Sequence, residues 1–280
     1  MKKSSMRLFI LAPIVLIAIV AAITLPNILQ TYAASTGTFN VSLTIANSQP
    51  VVNYVAAGQS DSPAAGTTKD ITISFNATDA NGVADIDPSN AKVIINQSAV
   101  SRTSHTCWTV SSGTTQRMFS CNVTIQYYDL PGTWTINASI VDGASAYAEN
   151  LTQTFSMGTT YGISINKSSL TFSGSPGDTN VAASNAPQNV INIGNGQFNS
   201  MNLTAYDIAS GSNTIGAANF NANATANSAG VALANNTMTV IPGASLAVNG
   251  TQNLYVFLSI PQGTPNGTYT SVQPWVVTMS

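Results

Sequence analysis

The sequence predicts an all-β protein: two tandem β-sandwiches behind an N-terminal hydrophobic helix. Three observations lead there. Past residue 25 no stretch has helical amphipathic spacing; short runs of Val, Ile, Thr, Phe and Tyr alternate with Gly, Asn, Ser and Pro clusters. Only 6% of the 280 residues are charged, against about 25% in an ordinary soluble domain. The length left after the N-terminal segment, about 245 residues, suits two sandwiches of about 100 residues each.

The elements follow in chain order. Lys2, Lys3 and Arg7 precede an apolar run at 8–25 that only Pro13 interrupts. Two readings of residues 1–34 stand. A signal peptide would be cut near Thr31-Tyr32-Ala33. A membrane anchor would span the bilayer through residues 8–25, a run long for a signal and just long enough to cross. Basic residues lie only before the run, so either way the bulk is outside. Residues 35–68 read as an N-terminal strand at 37–46 and an extended connector carrying Pro50, Gly58, Pro63 and Gly66.

The first sandwich is expected over 69–157, with strands near 70–78, 91–96, 106–110, 118–126, 133–141 and 146–155. The second is expected over 158–280. Its strands are expected near 169–172, 189–193, 202–206, 238–241, 253–260 and 269–278. The Ala/Asn/Gly-rich stretch 209–236 reads as long loops or weak strands.

Cys107 and Cys121 flank the turn cluster Ser111-Ser112-Gly113-Thr114-Thr115. Folding a hairpin about residue 114 sets them opposite each other, as a cross-strand disulfide requires. Two lone cysteines outside the cell most simply pair.

Low charge raises the question of what keeps the chain hydrated. From 170 to 280 there is no Lys or Arg, and Asp178 and Asp207 are the only acids. Sugar is the answer the sequence offers. Asn-x-Ser/Thr acceptors occur at Asn40, Asn76, Asn96, Asn122, Asn137, Asn150, Asn166, Asn202, Asn223, Asn235, Asn249 and Asn266. Chance placement would give about six or seven. Around Asn40, Asn76, Asn122 and Asn137 apolar and polar residues alternate. In a strand this puts Asn and its hydroxyl partner on the polar face and the middle residue inward.

Two groups of residues carry a resemblance. Asp79-Ala80-Asn81-Gly82-Val83-Ala84-Asp85-Ile86 and Tyr127-Tyr128-Asp129-Leu130-Pro131-Gly132-Thr133-Trp134 resemble the immunoglobulin-like repeats of archaeal envelope proteins. Leu170-Thr171-Phe172, Pro176-Gly177, Ile193-Gly194-Asn195-Gly196 and the run 260–269 are similar to another set of archaeal surface β-sandwiches. The resemblance implies Ig-like folds and a cell-surface location. It carries no catalytic residue.

Signatures of catalysis are missing from the sequence. His105 is the single His and Glu149 the single Glu. No Gly-x-Ser-x-Gly elbow, HExxH, Asp-Thr-Gly or Asp-Ser-Gly occurs. Ser89 and Lys92 have Ser-x-x-Lys spacing without its partner motifs. The stretch with the oxygen donors of a Ca²⁺ site is Asp79, Asn81, Asp85 and Asp87. It lacks the EF-hand pattern, and a turn built on Asn81-Gly82 and Asp87-Pro88 is the preferred reading. No other cofactor is expected. Lys69, Lys92, Arg102, Arg117 and Lys167 are scattered, which disfavours nucleic acid. Trp134 reads as core, and Trp108 and Tyr128 as surface residues.

The expected function is a non-enzymatic, glycosylated surface protein with a coat, spacer or assembly role, whose partners are the membrane, itself or other envelope proteins. Two alternatives stand: an adhesin or carbohydrate-binding accessory protein, and a filament subunit whose strand around 39–45 completes a neighbour's sandwich.

Overall fold

The computed structural model describes residues 38–227 and 229–280. The apolar run 8–25, the cleavage point near Ala33 and the expected helix lie outside the described residues. The chain divides into Met1–Ala46 and Asn47–Ser280. In the first unit, residues 38–46 form no strand, contrary to the expectation for 37–46. Phe39, Val41, Leu43 and Ile45 stand 76% to 85% exposed. Alternation is only a pattern; a strand also needs a ladder, and residues 39–45 join none.

The second unit is all β. Its first lobe has eight strands: β1 (Val51–Val55), β2 (Gln59–Asp61), β3 (Lys69–Thr78), β4 (Lys92–Gln97), β5 (Val100–Ser112), β6 (Gln116–Ile125), β7 (Gly132–Val141) and β8 (Tyr147–Met157). They form one sheet in the order β1-β3-β6-β5-β4-β7-β8-β2. All pairings are antiparallel except β2 with β8. β5 turns the corner. Its first residues pair with β4, and beyond the irregularity at Ser104/Thr106 it pairs only with β6. The two halves of the sheet thus face each other across one core.

That core is what the alternation predicts. Ile71, Ile73, Phe75 and Ala77 of β3 point in, as do Cys121, Val123 and Ile125 of β6 and Trp134, Ile136, Ala138 and Ile140 of β7. The Phe75 and Phe119 rings stack at 5.0 Å. Trp134 is fully buried, and its Nε1 donates to the Leu130 carbonyl at 3.0 Å.

Residues 48–68 are not a connector. β1 and β2 belong to the sheet, and Val52 and Val55 join the core. The period-2 pattern is hidden in β1 because a register shift falls between Val52 and Tyr54. β2 is polar and pairs in parallel with the end of β8.

The second lobe gathers around Phe220, Leu203, Leu254, Val256 and their neighbours. Its strands are β9 (Ile163–Ile165), β10 (Val181–Ala182), β11 (Gln188–Asn192), β12 (Met201–Ala205), β13 (Ile208–Ser210), β14 (Asn213–Ile215), β15 (Phe220–Asn223), β16 (Val231–Ala232), β17 (Thr237–Ile241), β18 (Thr251–Leu258), β19 (Thr270–Ser271) and β20 (Val276–Met279). One sheet runs β16-β15-β18-β11-β9, with β10 also on β18; two three-stranded sheets run β17-β12-β20 and β14-β13-β19. The stretch 209–236 is built of short strands, as its composition suggests. Two expectations change. Leu170 and Phe172 pack on the core without forming a strand; Thr171 bonds instead to Asn185 Oδ1 and to the Ser184 N–H. The expected strand 269–278 is split into β19 and β20, with Trp275 between them, packed on Phe220 and donating to the Tyr206 carbonyl.

The two lobes meet at 158–162. Gly158 N–H donates to the Asp61 carbonyl, Thr160 Oγ1 to the Pro63 carbonyl, and Gly66 N–H to the Ile193 carbonyl. Gly194 is required here, because a Cβ would lie 2.2 Å from the Thr160 carbonyl oxygen.

Candidate functional site

Three acids meet at one end of the first sandwich. Asp79 follows β3, Asp85 lies in the next turn, and Asp142 follows β7. Each offers a carboxylate oxygen, and these oxygens lie within 4.8 Å of one another. Asp79 and Asp142 are 2% and 3% exposed, and Asp85 is half-buried. Asp79 Oδ1 accepts the Asn81 N–H at 2.7 Å, whereas the buried Oδ2 has no partner. Asp142 Oδ1 accepts the Ala146 N–H, and Oδ2 accepts the Asn47 amide at 2.8 Å. These donors hold the Asp142 carboxyl below the usual range, the Asn47 amide most.

Of the sequence-derived quartet, the acid cluster keeps Asp79 and Asp85; Asp87 is engaged elsewhere, and Asn81 lies beside Asp79. Asp87 caps the 3₁₀ turn Pro88–Asn90, accepting from the Ser89 N–H, the Ser89 hydroxyl and the Asn90 amide. Asn81 Oδ1 accepts the Ser48 N–H at 2.6 Å. Asp142 is the member that sequence reasoning missed. It is remote in sequence, and its one local signal is the Asp142-Gly143 turn.

The disulfide lies elsewhere on this sandwich. Cys107 and Cys121 are bonded and stand opposite each other in the β5–β6 ladder. Beside it, His105 Nε2 is 3.5 Å from Asp70 Oδ2 and Nδ1 is 3.2 Å from Thr124 Oγ1. Ser89, Lys92 and His105 line one depression, but the Ser89 hydroxyl is turned to Asp87.

The twelve acceptors sort by their surroundings. Asn40, Asn235, Asn249 and Asn266 are exposed, and among the described residues none of their side-chain nitrogens donates a hydrogen bond. In Asn76, Asn122 and Asn137 the inward middle residues Ala77, Val123 and Ala138 are buried, as the alternation requires. Asn96 is half-buried on β4. The amides of Asn137, Asn150, Asn166 and Asn223 already donate, to Glu149, the Val52 carbonyl, Asn189 and the Asn227 carbonyl. Asn202 breaks the pattern. It is 8% exposed, the second residue of β12, flanked by Val240 of β17 and Thr278 of β20, a setting too closed to admit a sugar.

No family model matches this chain, and no curated protein matches it. Among solved structures it is similar to a chain of a chaperone–tip adhesin complex of CFA/I fimbriae biogenesis, at 10% identity over 83% of each chain and a TM-score of 0.35. It is also similar to the C-terminal domain of the Streptococcus agalactiae AgI/II polypeptide BspA, at 9% identity over 82% of this chain and all of that one, with a TM-score of 0.20. For the secreted serine protease VesC of Vibrio cholerae the identity is 13% over 81% of this chain and 50% of that one, with a TM-score of 0.19.

Proposed function

We propose that this chain is a non-enzymatic, N-glycosylated structural subunit of a cell surface, of the archaeal envelope type, and that copies join through residues 38–46. One observation carries the reading. Phe39, Val41, Leu43 and Ile45 alternate with Asn40, Ser42 and Thr44, yet all four large apolar side chains stand exposed. Laid on a sheet edge, such a segment gains a hydrogen-bond ladder and puts its apolar side chains on one face. Burying each of the four would contribute about 1.5–3 kcal/mol.

The remaining features fit an external protein. A disulfide persists where the surroundings are oxidising. Exposed acceptors at Asn235, Asn249 and Asn266 would hydrate a sandwich that has no basic residue after Lys167.

Negative-stain electron microscopy of the native protein released from its envelope tests the proposal. Filaments or lattices that vanish when residues 36–46 are deleted are the expected result. Dispersed particles, or polymers that survive the deletion, would overturn it.

A second reading, a carbohydrate-binding adhesin, is favoured by Trp108, 43% exposed on β5. It requires glycan-array binding that Trp108→Ala removes.

A further inference from the structure

We propose that Asp79, Asp85 and Asp142 hold a Ca²⁺ ion, which pins residues 47–48 to the first sandwich. The spacing suits a shared ion: oxygens bound to one Ca²⁺ at 2.3–2.6 Å are at most about 5 Å apart, and these lie within 4.8 Å.

The decisive atom is Asp79 Oδ2. It is shielded from solvent and accepts no hydrogen bond. A buried carboxylate oxygen without a partner is rare, because removing it from water costs more than the fold normally returns. Its neighbours are two further carboxylates, so the environment is short of positive charge. Among the described residues no lysine, arginine or histidine is ion-paired with these three acids; the ion pairs are Lys69–Asp61, Arg102–Asp129 and His105–Asp70. Arg117 gives its Nη1 to the Ile86 carbonyl at 2.9 Å instead. A bound cation would satisfy the orphan oxygen and balance the charge together.

The chemistry of the donors selects the ion. All are oxygens, with no His or Cys in the cluster, so a hard cation is indicated rather than zinc or copper. Mg²⁺ dehydrates reluctantly and is seldom held by dedicated protein cages; Ca²⁺ accepts several carboxylates with irregular geometry. Space is kept for the arrangement at Gly143, where a Cβ would lie 2.9 Å from Asp85 Oδ1.

The ligand-bearing loops also grip the residues that lead into β1. Asp142 Oδ2 accepts the Asn47 amide, and Asn81 Oδ1, beside Asp79, accepts the Ser48 N–H. Occupancy therefore stiffens the turn after β3, the turn after β7 and residues 47–48 as one group. This inference is independent of how copies of the chain associate.

The test uses the native protein, stripped with EDTA and dialysed, then titrated with CaCl2 at neutral pH. Calorimetry should show saturable uptake of one ion per chain, and the melting temperature should rise with Ca²⁺. Asp79→Asn should abolish both responses, while Asp87→Asn should leave both as in the unmodified protein. A purely structural role for Asp79 would instead lower the melting temperature equally with and without Ca²⁺, and that outcome overturns the proposal. So does an absence of heat and of any thermal shift up to about 10 mM CaCl2, above the range of weak extracellular Ca²⁺ modules. An equal response to MgCl2 would overturn the choice of Ca²⁺. If Asp79→Asn does not fold, Asp85→Asn, at the half-buried ligand, serves in its place, and unchanged affinity in it refutes the site.

Discussion

Asn195 of the second sandwich donates its side-chain amide to the backbone carbonyl of Asp129 in the first, at 2.8 Å. The same amide donates to the Gly158 carbonyl, and Oδ1 accepts the Thr160 N–H at 2.6 Å. One 1%-exposed side chain thus satisfies three backbone groups at the junction of the two cores. Asn195→Ala leaves them unpaired and should cost about 3 kcal/mol. Urea unfolding followed by tryptophan fluorescence should change from one transition to two. A single transition at the original midpoint would refute this role.

Asp129 is held from its other side by Arg102, which donates from Nε at 3.0 and 3.1 Å and from Nη2 at 2.5 Å. The acid's side chain is 1% exposed and the arginine's 23%. Arg102→Ala strands a buried charge and should cost about 3–5 kcal/mol. Lys69 and Asp61 form a pair with side chains more than a third exposed, so Lys69→Ala should cost under about 1 kcal/mol. Equilibrium denaturation of the two variants side by side checks the ranking.

The disulfide closes a short loop between β5 and β6. Replacing both Cys107 and Cys121 by Ser should lower stability by about 3 kcal/mol in the chain-entropy account. Reduction of the unmodified protein should lower its melting temperature, and the double variant should not respond to reductant.

Acid should act late. Asp61 is held below its ordinary value of 3.8, chiefly by the Lys69 ammonium; Asp87 and Glu149 are lowered by the hydroxyls of Ser89 and Tyr147 first. Such groups bind a proton less readily folded than unfolded. Their contribution is complete above the unfolded values and is lost as pH falls through the lower folded ones. Thermal melts in EDTA should therefore be nearly level from pH 7 to about 5 and fall only below about 4. A decline centred near pH 6 would contradict the assignment.

Sugar should follow exposure. Glycopeptide mass spectrometry should find Asn235, Asn249 and Asn266 modified and Asn202 bare. A glycan on Asn202 would mean that β12 is less closed than its burial indicates.

The first core was legible because its strands alternate without interruption. Ile71 to Ala77 and Trp134 to Ile140 announce both their strand and its inward face. β1 was not, since its register shift breaks the period, and neither was β2, whose Gln-Ser-Asp has no apolar face. In the second core, Leu170 and Phe172 have strand-like composition but flank Thr171, which takes its hydrogen bonds from Asn185 and Ser184. At the acid cluster the sequence offered only neighbours in one loop, so it grouped Asp79 with Asp87. Asp142 comes from the far half of the sheet, and only the folded ladder brings it there.

The parallel pairing of β2 with β8 has a mechanical meaning. Gln59, Ser60 and Asp61 lie beside Phe155, Ser156 and Met157, one set near the start of the first sandwich and the other at its end. Tension applied across residues 59–157 draws these neighbours past each other along their own axis. All the ladder bonds between them then share the load at once, whereas an antiparallel hairpin pulled at its open end would lose its bonds singly, in succession.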